Sequence, residues 1–152
     1  FQSTSLEDLI QEVVCDLEAT LESSGGSVDV RSLPVVEADP FQMRQMFQNL
    51  IANALKFHRQ AAPSRVTLDS RPNGDGTWTI WIQDNGIGFE EKYLGRIFKP
   101  FERLHGKNEF SGSGMGLAIC RKIIQRHGGT ITAESRVNEG TRFVITLPEK
   151  QT

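Results

Sequence analysis

The sequence lacks most of the features that announce a function outright. It has only two cysteines, Cys15 and Cys120, and both sit in apolar patterns of helical spacing. That reads as two buried thiols in a reducing compartment rather than a disulfide framework or a metal site. There is no excess of positive charge: 17 Lys and Arg stand scattered against 19 Asp and Glu, for a net charge of -2. This offers no basic face for nucleic acid or for an anionic membrane surface. No apolar run approaches the ~20 residues of a membrane span, and no secretory signal opens the chain. The P-loop's Gly-Lys-Ser/Thr is also missing. Because the first residue is Phe1 rather than Met, the expectation is a cytoplasmic piece of a longer protein, with an anchor or sensor elsewhere in the parent left open.

What is present suffices for one globular domain: 152 residues, 38% hydrophobic and 24% charged. Ser111-Gly112-Ser113-Gly114-Met115-Gly116-Leu117 sets three glycines at alternate positions before the apolar run Ala118-Ile119-Cys120 and Ile123-Ile124. Such a loop lets backbone approach a ligand closely, and the helix behind it aims unpaired N–H groups and a positive dipole end at phosphate. A flexible Gly/Ser loop before a core helix fits the same residues. The dinucleotide fingerprint does not, because its third glycine would stand at Leu117.

A helix expected from residue 40 to about 59, capped by Asp39 with Pro40 in its first turn, carries a second signal. At about 100° per residue, Met43, Phe47, Leu50, Ile51 and Ala54 gather on one side, while Asn49, Asn53 and Lys56 share a stripe nearly opposite. A solvated face is the plain reading of that stripe. Against it, Asn is a poor helix former beside the Glu, Lys or Gln that exposed faces normally carry. An Asn carbonyl suits Mg²⁺, and Lys56 beside it suits phosphate.

Residues 65–71 and 77–84 alternate as strands around Asn73-Gly74-Asp75-Gly76, with Val66, Leu68, Trp78, Ile80 and Ile82 inward. The second strand ends in Asp84-Asn85-Gly86-Ile87-Gly88-Phe89. A turn explains the glycines, but a carboxylate closing an apolar strand must find a donor. A calcium loop does not fit, since oxygen ligands at alternate positions are missing after Asn85. Around these elements the pattern predicts a first helix with a capping box from Thr4 to Glu7, running to about residue 21, and a short strand at Val28 and Val30. A mobile loop follows the motif Phe98-Lys99-Pro100-Phe101, and a helix runs from about Gly114 to a stop at His127-Gly128-Gly129. Residues 130–137 and 141–147 form a second hairpin with Phe143, Ile145 and Leu147 inward. The fold class is therefore α/β in the α+β sense: a two-layer sandwich, its mixed, mostly antiparallel sheet covered by helices on one face.

Taken together, five stretches in order resemble the catalytic, ATP-binding domain of sensor histidine kinases, in the superfamily of gyrase B, Hsp90 and MutL. Asn49-Leu50-Ile51-Ala52-Asn53-Ala54-Leu55-Lys56-Phe57 resembles the N box, Asp84 to Gly88 the G1 box and Phe98 to Phe101 the F box. Gly112 to Leu117 resembles the G2 box, and Glu139-Gly140-Thr141 the last glycine motif. The resemblance covers nearly the whole chain and implies one such domain over residues 1–152. It implies that Asp84 accepts a hydrogen bond from the adenine amino group, Thr141 supporting it through water, within a loop shaped by Gly86 and Gly88. Asn53 would ligate Mg²⁺, with Asn49 beside the phosphates, Lys56 reaching toward them and Phe57 packed on the base. Backbone at Gly112, Gly114, Met115, Gly116 and Leu117 would hold the phosphates of ATP, and Arg103 would approach the γ-phosphate.

Superfamily members that hydrolyse ATP resemble one another in a Glu one turn before the metal-binding Asn. Here Asn49 stands there, and an amide cannot take a proton, which favours transfer over hydrolysis. The acceptor implied is a histidine on a separate dimerising hairpin; His58, His105 and His127 lack its neighbours and take structural roles, with an imidazolium favoured at the helix ends of His58 and His127. Implied partners are that dimerisation and phosphotransfer domain, in a homodimeric parent, and a response regulator, without nucleic acid or membrane contact by this piece. The alternatives are a nucleotide-binding signalling module without transfer, and a serine kinase of the anti-sigma type on the same fold.

Overall fold

The computed structural model describes residues 1–18, 21, 25–56, 64–86, 116–137 and 139–151, and of Lys56 the backbone only. The elements are β1 (Gln2–Ser5), α1 (Leu6–Asp16), β2 (Ser27–Val30), β3 (Val35–Ala38) and α2 (Pro40–Lys56), then β4 (Arg65–Pro72), β5 (Thr77–Asp84), α3 (Gly116–Arg126), β6 (Thr130–Arg136) and β7 (Gly140–Pro148). Five strands pair in the order β2-β4-β5-β7-β6, with β2 parallel to β4 and every other pairing antiparallel. Strand alternation makes the sheet two-faced. In β6, Ile131, Ala133 and Ser135 are buried while Thr130, Thr132 and Glu134 are exposed. The buried face, including Leu68, Ile80, Ile82, Phe143 and Ile145, meets Met43, Phe47, Leu50 and Ile51 of α2, Ile10 and Val13 of α1, and Ile124 of α3 in one core. The expected mixed sheet with helices on one face is the fold observed.

Local chemistry sets the element ends. Asp39 caps α2, its Oδ1 accepting from the N–H groups of Phe41 at 3.0 Å and Gln42 at 3.2 Å. The β4–β5 turn is held by Asp75, whose Oδ1 accepts from the Thr77 N–H at 3.0 Å.

Three expectations are corrected and one is amended. The cap of α1 is Ser5, whose Oγ accepts from the Asp8 N–H at 3.3 Å, not Thr4. Thr4 is buried in β1, which pairs antiparallel with β3 in a separate two-stranded sheet, and its hydroxyl donates to the Gln2 carbonyl at 2.9 Å. Helix α1 is interrupted after Asp16, where the Leu17 N–H is shared between the Val13 and Val14 carbonyls at 3.1 Å; Glu18 and Leu21 are helical again, the Leu21 N–H donating to the Leu17 carbonyl at 3.0 Å, so the expected reach to residue 21 stands with one break. Cys15 is exposed, because it falls about 200° around the helix from the core-facing Val13; Cys120 is buried as expected.

His127 is the third correction. It is completely buried, and its ring bridges one backbone carbonyl and one backbone amide instead of facing solvent at a helix end. Nδ1 donates to the Ile123 carbonyl at 2.7 Å, while Nε2 accepts from the Asp39 N–H at 3.0 Å, so the ring is the neutral tautomer. The end of α3 is thereby fixed to the cap of α2. Around this joint, Phe1 stacks on the imidazole with centroids 4.5 Å apart, and the Gln151 amide donates to the His127 carbonyl at 2.8 Å. Arg126 bonds the Asp39 carboxylate at 2.9 Å and holds it below the ordinary carboxylate range.

Candidate nucleotide site

Alternation along β5 turns Trp78, Ile80 and Ile82 toward the helices, and the same period delivers Asp84, the last residue of the strand, to that face. Burial raises the Asp84 carboxyl above its ordinary value of 3.8, and two backbone donors oppose the shift. These are the N–H groups of Gly86 at 2.8 Å and Thr141 at 3.2 Å, and both reach the same oxygen, Oδ1. Among the described residues no donor reaches Oδ2. One oxygen is thus tied to the fold and the other is available to a ligand donor.

The β5–β7 register brings Thr141 to this carboxylate: Gln83 pairs with Arg142, so Thr141 lies opposite the end of β5. Gly140 makes the approach possible. Its φ of +108° suits glycine, and a Cβ there would stand 2.1 Å from the Asp84 carbonyl oxygen. Behind it, the Ser135 hydroxyl donates to the Gly140 carbonyl at 3.0 Å and lies 2.9 Å from the Thr141 hydroxyl. A hollow of about 280 Å³ at this end of the sheet is lined by Asp84, Ser135, Gly140 and Thr141 together with the exposed Gln83, Glu134, Arg136, Glu139 and Arg142. Asn85 pins the turn that follows Asp84, its Oδ1 accepting from the Arg65 N–H at 2.8 Å.

On α2, Asn49 and Asn53 are half-buried, not solvated. Their stripe meets α3: the Cys120 thiol donates to the Met46 carbonyl at 3.6 Å, and the Asn49 side chain hydrogen-bonds the same sulfur. Burial pushes that thiol up to about 12, so Cys120 is an inert packing group there. Of the stripe expected opposite the core, Asn49 contacts α3, and Met46 and Leu55 join the buried set. Lys56 is the last residue of α2. Gly116 opens α3 and Leu117, half-buried, packs on the core. Phe57, Gly88, Arg103, Gly112, Gly114 and Met115 lie outside the described residues, as does the F-box stretch. The structure thus brings Asp84, Gly86 and Thr141 into direct contact and sets Asn49 against α3. Sequence reasoning missed Ser135 and the tie from Asn49 to Cys120. The signal for Ser135 was a hydroxyl on the inward period of β6, where Ile131 and Ala133 set an apolar rule.

Residues 38–151 match the family described as histidine kinase-, DNA gyrase B-, and HSP90-like ATPase. The chain belongs to this ATPase family. It is 41% identical over 145 residues to the phytochrome-like protein Cph1 of Synechocystis, covering 95% of this chain and 19% of that protein. The chain therefore spans about a fifth of that relative. In structure it is similar to the catalytic domain of histidine kinase ThkA, with a TM-score of 0.80 and 28% identity over 99% of this chain and 96% of that one. ThkA has also been solved in complex with the response regulator protein TrrA; that kinase chain matches with a TM-score of 0.78 at 26% identity, covering 98% of this chain and 42% of its own. Full-length ShkA in complex with AMPPNP matches with a TM-score of 0.82 and 25% identity, over 96% of this chain and 30% of its own. Within the ATPase family the fold is thus that of histidine-kinase catalytic domains. Among the described residues, no helix is long and apolar enough to cross a membrane.

Proposed function

We propose that residues 1–152 are the catalytic domain of a sensor histidine kinase, binding Mg-ATP and passing its γ-phosphoryl group to a histidine on a separate dimerisation domain. The observation that carries this reading is Asp84, a half-buried carboxylate with Oδ1 held by two backbone N–H groups and Oδ2 left for the exocyclic amine of adenine. The ATP analogue in ShkA and the regulator bound to ThkA support the same reading. In the transfer, an imidazole nitrogen forms the new N–P bond, the bond from the γ-phosphorus to the bridging oxygen breaks, and ADP leaves with the electron pair. A response regulator then takes the phosphoryl group.

The residues present fit a Mg²⁺ ion that arrives with its nucleotide. Among the described residues no three His, Cys, Asp or Glu side chains gather, so no preformed carboxylate cage exists there. Asn53 offers one hard oxygen from the last turn of α2, which suits an ion that keeps phosphate and water as its other ligands. Bound there, Mg²⁺ would neutralise phosphate charge. Asn49 stands where water activation would need a base, and its amide is engaged with Cys120 instead. Arg103 and Lys56 are proposed to approach the phosphates, with Phe57 on the base and the backbone from Gly112 to Leu117 around the triphosphate.

Thermal unfolding with Mg-ADP tests the binding. Ligand at ten times its Kd adds ~1.4 kcal/mol, on the order of 3–6 °C for a domain of this size. The shift should vanish in Asp84→Asn, and its absence from the native chain at millimolar nucleotide overturns the reading. Mixing the chain with its parent's dimerisation domain and γ-labelled ATP tests the transfer: the expected product is an acid-labile phosphohistidine, and acid-stable label or none overturns it.

A further inference from the structure

We propose that Cys120 is a positioning residue: through its sulfur it turns the Asn49 amide so that the carbonyl oxygen, and not the NH₂ group, is presented to the Mg-nucleotide. The inference rests on the proposed function above. Cys120 lies one turn into α3 from Gly116, and both it and Met46, which it meets on α2, are completely buried. Met46 and Asn49 are three positions apart on α2, so one side chain of α3 reaches both. Unreactive as a nucleophile, the thiol still carries two hydrogen bonds. Its single proton goes to the Met46 carbonyl, 3.6 Å from Sγ, a group that can only accept. What remains on the sulfur is lone pairs. The hydrogen bond between this sulfur and the Asn49 side chain therefore runs from the amide nitrogen. That bond opposes the rise of the thiol pKa, as a donor to sulfur does and an acceptor from it would not.

With the nitrogen held by α3, the oxygen of the planar amide is the atom left to a ligand. Asn53 follows four residues on along the same face, with Cβ atoms about 5–6 Å apart. An NH₂ group there would suit a phosphate oxygen. A carbonyl oxygen meets phosphate as acceptor against acceptor, and suits Mg²⁺ or a water bound to it. Asn49 is thus assigned to the metal side of the nucleotide, beside Asn53. The bond from the Asp39 N–H to His127 at 3.0 Å fixes the far ends of α2 and α3 to each other, which keeps Cys120 level with Asn49.

The test measures ADP affinity with and without Mg²⁺ by calorimetry, together with adenosine affinity and melting temperature. The native chain binds ADP more tightly with Mg²⁺. Cys120→Val keeps the volume and removes both hydrogen bonds; the factor by which Mg²⁺ tightens ADP then falls on the order of tenfold, while adenosine affinity is unchanged. Cys120→Ser donates and accepts as the thiol does and keeps the native factor. Asn49→Leu lowers the factor as Cys120→Val does, and the double variant loses no more than Asn49→Leu alone. Should the valine variant unfold, Cys120→Ala carries the test with the same expectation. A native Mg²⁺ factor in Cys120→Val, or equal weakening of ADP and adenosine as lost packing would give, overturns the assignment of Cys120 alone. A native chain that binds ADP with no gain from Mg²⁺ overturns the assignment and the metal part of the proposed function, and one that binds neither ADP nor adenosine overturns the whole of it.

Discussion

The two ends of the candidate site are built differently. At the base end, Asp84, Gly140 and Thr141 are joined by strand register and backbone N–H groups, so their positions follow from the sheet. At the phosphate end, Asn49 on α2 is held by a side-chain contact to Cys120 on α3, and the two helices are joined at their far end through His127. A sheet fixes its members through many ladder bonds, whereas two packed helices can slide by small amounts as rigid bodies. In the proposed function the base thus falls to the half held by the sheet, and the charged tail to the half held between helices.

The sharpest way to break the comparison is at Gly140. Gly140→Ala places a Cβ 2.1 Å from the Asp84 carbonyl in a left-handed conformation, so β7 must leave β5 at this point. A loss of about 3 kcal/mol or more, read by denaturant unfolding, is expected together with loss of ADP binding. His127→Ala attacks the helical half. It removes the partners of the Asp39 N–H and the Ile123 carbonyl and leaves a cavity under Phe1, so about 2–4 kcal/mol should be lost. If the halves are as distinct as described, its affinity for unphosphorylated adenosine changes less than that for ADP, which calorimetry can compare.

Asp84→Asn separates binding from folding. Burial raises the folded carboxyl above its unfolded value, so its contribution to stability is complete below the unfolded pKa and is lost as pH rises through the folded one. At pH 7 the ionised group destabilises the ligand-free chain. The variant should therefore match or exceed the native melting temperature at pH 7, and this relative gain should grow in melting curves as pH rises above the ordinary carboxyl value of 3.8. Smallest of all is Arg44→Ala, which removes exposed bridges to Glu12 at 2.7 Å and Asp16 at 2.8 Å between α1 and α2. The melting temperature should fall only slightly, and less in high salt, with ADP affinity unchanged.

Much of the sheet was legible because its signals are local. The Asn73-Gly74-Asp75-Gly76 turn and the period-two alternation of Val66, Leu68, Ile80 and Ile82 place β4 and β5 within a residue of their observed ends. The Asp39-Pro40 start of α2 held for the same reason. What escaped is non-local. The β1–β3 ribbon joins four-residue strands some thirty positions apart, Gln2 pairing with Ala38, and neither is long enough to show a period. His127 was read by its helix end alone, because nothing nearby announces that a backbone amide 88 positions away needs its Nε2. In the site, Asp84 stood out as a carboxylate closing an apolar strand. The reason for Gly140 appears only when β7 is laid beside β5.

The buried imidazole at the end of α3 also acts as a fulcrum. With 11 residues at ~1.5 Å each, that helix is a lever of roughly 16 Å, anchored at one tip and carrying Gly116 at the other. A swing of about 5° around the anchored tip moves Gly116 by ~1.4 Å, half a hydrogen-bond length, while the strand ends at Asp84 need not move. A disturbance at the Phe1–His127 stack would act on α3 at the tip opposite Gly116.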